Sequence, residues 1–299
     1  MFRSLAASPV AGLATAVLLW SGNFVVGRAL RFAMGPFSIN FWRWAIAVAV
    51  LLPFTWKLLR EHRGLLARHW KLLAVLGVTG IAAFQTLVYV ALSFTTTANA
   101  LLLLSLSPLA IALVSWALLG ERMSGRQLAG IGVSFAGAVA IIAHGSVAAL
   151  ASLSLGKGEL CMLLGVALWT LYSLLLRRLP KELPQLAVLS ATSVAGVLAM
   201  LPVYLWLPPG GSLLSMGAPA WSGLLYVALV ASIPPFLLWN RGVAKIGASR
   251  AGTFIYLMPA FGALLAFVFL GEGLQMYQAA GGAAIFAGIA VMNWERARP

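Results

Sequence analysis

The sequence predicts an all-α integral membrane protein of ten transmembrane helices in two inverted five-helix repeats. Three observations predict it. The chain is 62% hydrophobic and only 9% charged, whereas soluble proteins carry roughly a quarter charged residues. Its apolar runs, almost end to end, reach the about 20 residues that span a bilayer. Finally, one long pattern occurs twice. Residues 99–140 align with residues 250–291 at a single offset, placing Pro108 on Pro259, Leu119-Gly120-Glu121 on Leu270-Gly271-Glu272, Gly130 on Gly281 and Gly137 on Gly288. A repeat of that length points to an architecture before any chemistry is considered.

The apolar periodicity and its breaks place helix 1 at 8–30, helix 2 at 36–56, helix 3 at 70–93, helix 4 at 98–119 and helix 5 at 126–143. Helices 6 to 10 follow at 156–177, 184–206, 218–240, 248–270 and 275–294. Helix 1 has a basic residue before it, as a signal peptide does, but its run is longer than a signal-peptide core. It also has a repeat partner. Val17-Leu18-Leu19-Trp20 resembles Val166-Ala167-Leu168-Trp169, and Arg28 matches Arg177 at the same offset. Pro53 of helix 2 and Pro202 of helix 7 pair at that offset too. The first unit therefore covers 8–143 and the second 156–294, joined by the Gly/Ser/Leu segment near 144–157. The longest polar break is near 57–71.

Charge sets the orientation. With the N-terminus inside, sixteen of the twenty Lys and Arg fall on the cytoplasmic side and three, Arg28, Arg31 and Lys157, outside. That asymmetry predicts both termini in the cytoplasm. A net charge of +14 is spread between apolar runs rather than gathered in a patch, so nucleic acid is not an expected partner. The lone Cys161 sits in an apolar run and forms no intrachain disulfide. Three histidines and no Asp leave no metal cluster and call for no cofactor. An enzyme would need a nucleophile–base or metal set, which is missing too. A unit of five helices must start its second copy on the opposite face, the arrangement of alternating-access transporters. Because both orientations occur in one chain, a monomer is sufficient, with the bilayer and a small-molecule substrate as partners.

The six glutamates all lie at helix ends or in loops, so no carboxylate sits where a proton relay would be expected. Glu121 and Glu272 read either as polar helix ends or as paired gate residues. Arg43 lies about two turns into helix 2, where it caps backbone carbonyls, reaches the outer interface, or meets a substrate carboxylate. Pro108 and Pro259 are candidate hinges, since a mid-helix proline removes a hydrogen bond and bends the helix. Pro234-Pro235 is expected to break helix 8. The glycine pairs at seven-residue spacing predict close helix packing. Substrate-binding candidates are the aromatics and amides near mid-membrane: Trp20 and Asn23, Gln85 and Tyr89, Trp169 and Tyr172, Trp239 and Asn240, and Tyr256. Amides and phenols are costly in hydrocarbon unless paired or wet, and a central cavity relieves that cost. Trp20 and Trp169 are repeat partners at mid-depth, away from an interfacial aromatic belt. An aromatic-lined cavity with few amides suits amphipathic ligands.

These residues resemble the drug/metabolite transporter superfamily, EamA type. Trp20-Ser21-Gly22-Asn23-Phe24 looks like its first-helix signature, Arg43-Trp44 like its basic-aromatic pair in helix 2, and Tyr89-x-Ala91-Leu92 fits ahead of helix 4. The resemblance spans roughly residues 10–293. It departs at Thr192, which stands where the second repeat would match Arg43. Within the superfamily the chain is most similar to YddG-type exporters of aromatic amino acids and related metabolites. The resemblance implies export of amphipathic molecules, aromatic or other apolar amino acids foremost, from a bacterial inner membrane. Sugar phosphates, nucleotide-linked sugars and drug-like cations are the alternative cargoes. The first two require several basic groups in the cavity, and only Arg43 is intramembrane. A channel is a further alternative, separated from a carrier by single-channel currents.

Overall fold

The computed structural model describes residues 8–95, 97–120, 124–143, 146, 148, 156–206, 213, 216–270 and 275–293. Among these residues there are helices and connections but no strand. The elements are α1 (Pro9–Leu30), α2 (Pro36–Glu61), α3 (Trp70–Phe94), α4 (Thr97–Leu104 and Ser107–Leu119), α5 (Gly125–Ile142), α6 (Lys157–Leu176), α7 (Gln185–Trp206), α8 (Ala218–Ile246), α9 (Ala248–Gly252, Thr253–Tyr256 and Leu257–Leu270) and α10 (Met276–Asn293). Eight of them, α1 to α8, are long and apolar enough to cross a membrane.

Local chemistry explains the starts. Ser8 caps α1 and Pro9 follows at its first turn, where a missing N–H is harmless. Ser124 and Gln127 form a reciprocal capping box at α5. Gly156 has no side chain to cap α6, so Glu159 reaches back to its N–H.

Several boundaries differ from the sequence-based expectation. Helix 2 continues to Glu61, and the polar break after it is mostly helical, with a six-residue helix over Arg63–Arg68. Helix 8 continues to Ile246. Pro108 and Pro259 do not kink continuous helices. The chain turns at Ser105–Leu106, and Pro108 then opens the second segment of α4. A 3-10 turn over Thr253–Tyr256 precedes the segment that holds Pro259. The physical reason is that neither proline can return an N–H to the carbonyl four residues back, whereas both fit a helix's first turn. Pro234-Pro235 behaves likewise, opening the Ile233–Ile246 segment of α8 after a turn.

Two π-helical stretches interrupt the bundle, Gly77–Ala83 in α3 and Tyr226–Val230 in α8. Such bulges re-aim carbonyls, and polar side chains use them. Asn40 of α2 donates to Ile81 O and Ala82 O, both at 3.0 Å. Across the molecule α1 packs on α8 and α9, α6 on α3 and α4, α2 on α7, and α5 on α10.

The α5–α10 pair is held by small residues. A Cβ on Gly137 would lie 2.6 Å from Gly281 O, and one on Gly288 would lie 2.5 Å from Gly130 O. Ser134 Oγ also donates to Ile285 O at 3.2 Å. Backbones this close have no room for a methyl group, and overpacking costs about 1–3 kcal/mol. Gly137→Ala is therefore expected to lower the melting temperature in detergent. Gly132 on the same helix has open space around its Cβ, so Gly132→Ala serves as the control. Equal melting curves for the two variants would refute the close-packing account.

Candidate functional site

The centre of the bundle holds a cluster of aromatic rings from both halves of the chain. Trp20 of α1 and Trp169 of α6 meet edge to face at 5.4 Å. Trp239 of α8 lies 5.6 Å from Trp20 and 5.1 Å from Trp169. Phe84 of α3 reaches Trp169 at 4.9 Å. Phe236 of α8 packs 5.5 Å from Trp20 and bridges to Trp44 of α2 at 5.1 Å. Tyr172 stacks on Trp169 at 5.2 Å, one turn along the same face. All are buried. The indole N–H groups of Trp20, Trp44, Trp169 and Trp239 have no acceptor among the described residues, and neither does Asn240 Nδ2. Buried donors normally find partners, so these N–H groups can serve an acceptor from outside the described residues.

Beside the rings lies a polar node centred on Arg43. The side chain is fully buried at 0% exposure. Its Nε donates to Ser232 Oγ. Its Nη1 donates to Gln85 Oε1 at 2.9 Å, Tyr89 OH at 3.0 Å and Asn23 Oδ1 at 3.3 Å. Its Nη2 donates to Ala231 O at 2.9 Å. The sequence of α8 explains that last acceptor. In a regular helix Ala231 O would receive the N–H of residue 235, and Pro235 has none. Helix 2 thus plugs its guanidinium into the break of α8. Arg43 does cap a backbone carbonyl, Ala231 O, but it does not reach the outer interface: with five neutral groups in reach, the buried side chain has no need to snorkel. No carboxylate among the described residues pairs with it.

Two tyrosine–asparagine bonds flank the cluster. Tyr89 OH of α3 donates to Asn23 Oδ1 of α1 at 2.8 Å, and Tyr172 OH of α6 donates to Asn240 Oδ1 of α8 at 2.8 Å. Each bond joins one helix to a neighbour across the core, the second between α6 and α8 of the second unit and the first between α1 and α3 of the first.

Between these groups is a small cavity of about 20 Å³, bordered by Trp20, Asn23, Phe84, Gln85, Trp169 and Met258. That is room for one water. At one end of the bundle a much larger vestibule, about 570 Å³, opens between α5, α6, α7, α8 and α9. Its lining includes Arg177, Lys181, Lys245 and Arg250, and it reaches inward to Leu176 and Val243. One helical turn above those residues, about 5 Å, sits the Tyr172–Asn240 bond. At the other end two hydrogen bonds join neighbouring helices. Arg31 Nη1 donates to Leu92 O at 3.1 Å, and Thr95 Oγ1 donates to Glu159 of α6.

The structure brings Trp20, Asn23, Gln85, Tyr89, Trp169, Tyr172, Trp239 and Asn240 into this one region. Tyr256 does not join it. Its ring faces Phe135 of α5 at 6.2 Å, while Ile255 and Met258 line the cavity instead. The 3-10 turn rotates Tyr256 away from the centre. Pro108 and Pro259 are buried and neither lines the cavity; Pro108 packs against Gly252 of α9. Glu121 and Glu272 lie outside the described residues. Sequence reasoning missed Phe84, Phe236, Trp44 and Ser232, and it left Arg43 out of the site. Only Arg43 carried a usable signal, an ionisable residue inside an apolar helix.

Comparison with known proteins agrees with this geometry. The pattern of the EamA-like transporter family matches residues 8–143 and again 156–294. An uncharacterized transporter of Bacillus subtilis, YyaM, is 29% identical over 85% of this chain and 83% of its own. An uncharacterized transporter of Archaeoglobus fulgidus is 28% identical over 93% and 94%. A probable terminal-alkyne amino-acid exporter of Streptantibioticus cattleyicolor is 27% identical over 94% and 92%. A solved crystal structure superposes with a TM-score of 0.75 over 98% of this chain and 99% of its own at 23% identity, which speaks for the fold. The two family matches cover most of the sequence, the relatives are named as transporters and not enzymes, and the chain therefore belongs to the EamA-like transporter family of membrane proteins.

Proposed function

We propose that the protein exports amphipathic small molecules, aromatic or other apolar amino acids foremost, by alternating access through the central cluster. The observation that carries this reading is one cavity bordered by Trp20, Trp169, Asn23 and Gln85, with Trp239 packed on the two indoles and Arg43 bonded to the two amides. Rings supply a surface for an apolar body, and the node supplies polar contacts for one end. The name of the Streptantibioticus relative, an amino-acid exporter, supports the cargo class. In this reading the chain is ten transmembrane helices in two inverted five-helix units, with both termini in the cytoplasm of a bacterial inner membrane. The basic vestibule is then the cytoplasmic mouth, and the Tyr172–Asn240 layer separates it from the cavity. The contact pattern supports the two-fold relation: α1 meets α8 and α9 as α6 meets α3 and α4.

Counterflow in proteoliposomes tests the cargo. Labelled phenylalanine is expected to exchange saturably against unlabelled aromatic and aliphatic amino acids. Absence of exchange across the whole amino-acid panel, or unitary currents in planar bilayers, would overturn the reading. Fusion reporters test the topology. One at Pro299 and one within 144–157 are expected to report opposite sides, and equal signals would refute the inverted units.

A further inference from the structure

We propose that the site recognises the carboxylate of its cargo, with Arg43 as the docking cation, and that the cargo's amino group is dispensable. This rests on the amphipathic-export reading and names the group that reading leaves open. Donors and acceptors at the site are unevenly matched. On the donor side stand the Arg43 guanidinium, which holds the cavity-lining Asn23 and Gln85, and the indole N–H groups of the cavity-lining Trp20 and Trp169, which have no acceptor among the described residues. On the acceptor side, Asn23 Oδ1, Gln85 Oε1, Tyr89 OH, Ser232 Oγ and Ala231 O are all engaged by Arg43. An ammonium group brings three donors and no acceptor. It would meet a fixed positive charge, with Asn23 Oδ1 already holding two donors and Gln85 Oε1 one. A carboxylate brings only acceptors, which is what the unpartnered donors lack.

Charge points the same way. Arg43 is fully buried, and no carboxylate among the described residues neutralises it. A charge-assisted bond from a guanidinium N–H to a carboxylate is stronger than one to a neutral amide. Asn23 and Gln85, which line the cavity and hold Nη1, are the groups a carboxylate would displace. The vestibule adds a long-range contribution. Its lining carries Arg177, Lys181, Lys245 and Arg250, a potential that concentrates anions at that mouth.

The test compares three probes on purified protein: phenylalanine, N-acetylphenylalanine, which keeps only the carboxylate, and phenylalaninamide, which keeps only the amino group. At about pH 6.5, below the usual α-amino range, the amide is largely cationic. The first two are expected to raise the melting temperature, and the amide to do so only at concentrations at least about tenfold higher, a ratio typical of one charge-assisted contact. In Arg43→Gln the preference for N-acetylphenylalanine over the amide is expected to collapse toward unity. Equal responses to the acid and the amide overturn the proposal, as does a preference that survives Arg43→Gln or no response to any probe. If Arg43→Gln does not fold, the wild-type comparison decides alone. Carboxylate-dependent stabilisation without vectorial exchange in proteoliposomes would leave this inference standing and overturn the transport reading instead.

Discussion

Arg43→Met is expected to reduce exchange of carboxylate cargo at least about tenfold while changing thermal stability little. Two opposing effects set the stability. Removing a charge from the interior of a membrane helix relieves about 2.5–3.5 kcal/mol. Against that, Gln85 Oε1 and Ala231 O lose the donors that Arg43 gave them, at about 1–3 kcal/mol each. The other partners keep a bond, since Tyr89 still donates to Asn23 and Ser232 still donates to Val227 O. Gain and loss therefore nearly cancel. Nothing cancels the lost contact to the cargo. A charge-assisted bond is worth about 1.5–3 kcal/mol, which predicts exchange reduced about 10- to 150-fold. If Arg43 is only a strap between α2 and α8, the folded variant still exchanges carboxylate cargo at close to the wild-type rate. Melting curves and counterflow rates on the same preparation separate the two accounts.

That prediction concerns a residue whose role was not legible in the sequence, and the reason is physical. The depth of Arg43 follows from its place in α2, and depth alone suggested snorkelling. What holds it comes from α1, α3 and α8, some 20 to 189 residues away. The decisive acceptor, Ala231 O, exists because Pro235 cannot donate, a fact about a distant helix. Phe84 and Phe236 were invisible for a different cause. In a chain this apolar, one more phenylalanine in an apolar run signals nothing. Tyr256 shows the opposite error. It sits three residues before Pro259 and reads as mid-helix, but the proline forces a 3-10 turn that redirects the ring.

The tryptophans were more accessible to reasoning, because the internal repeat gave a second constraint. Trp20 and Trp169 share an offset with Arg28 and Arg177. Residues related by such a duplication have equivalent places in their units, and an aromatic pair at mid-depth is no interfacial belt. The amides and phenols were also singled out one by one. Their pairing was not, since Asn23 bonds Tyr89 and Asn240 bonds Tyr172. Sequence spacing ranks residues by depth and face, but it cannot choose among neighbouring helices.

Trp169 is where affinity for an aromatic cargo should be most sensitive. Its ring touches Trp20, Phe84, Tyr172 and Trp239, and it borders the cavity. Trp169→Ala is expected to weaken half-saturation by an aromatic amino acid by about 1–3 kcal/mol, or roughly 5- to 150-fold. It also removes a ring that is 2% exposed, so a stability loss of about 3–5 kcal/mol accompanies it. The two effects must be separated, and Trp169→Phe does so. Phenylalanine keeps an aromatic face and deletes the indole N–H. That N–H has no acceptor among the described residues, so losing it breaks no bond within the described fold. A loss of affinity in Trp169→Phe of about 1 kcal/mol or more, with melting close to wild type, therefore reports a hydrogen bond made only when cargo is present. Recovery of full affinity would assign Trp169 to stacking alone. Unchanged half-saturation in both variants would remove Trp169 from the binding site, leaving it as core packing between α1, α3 and α8.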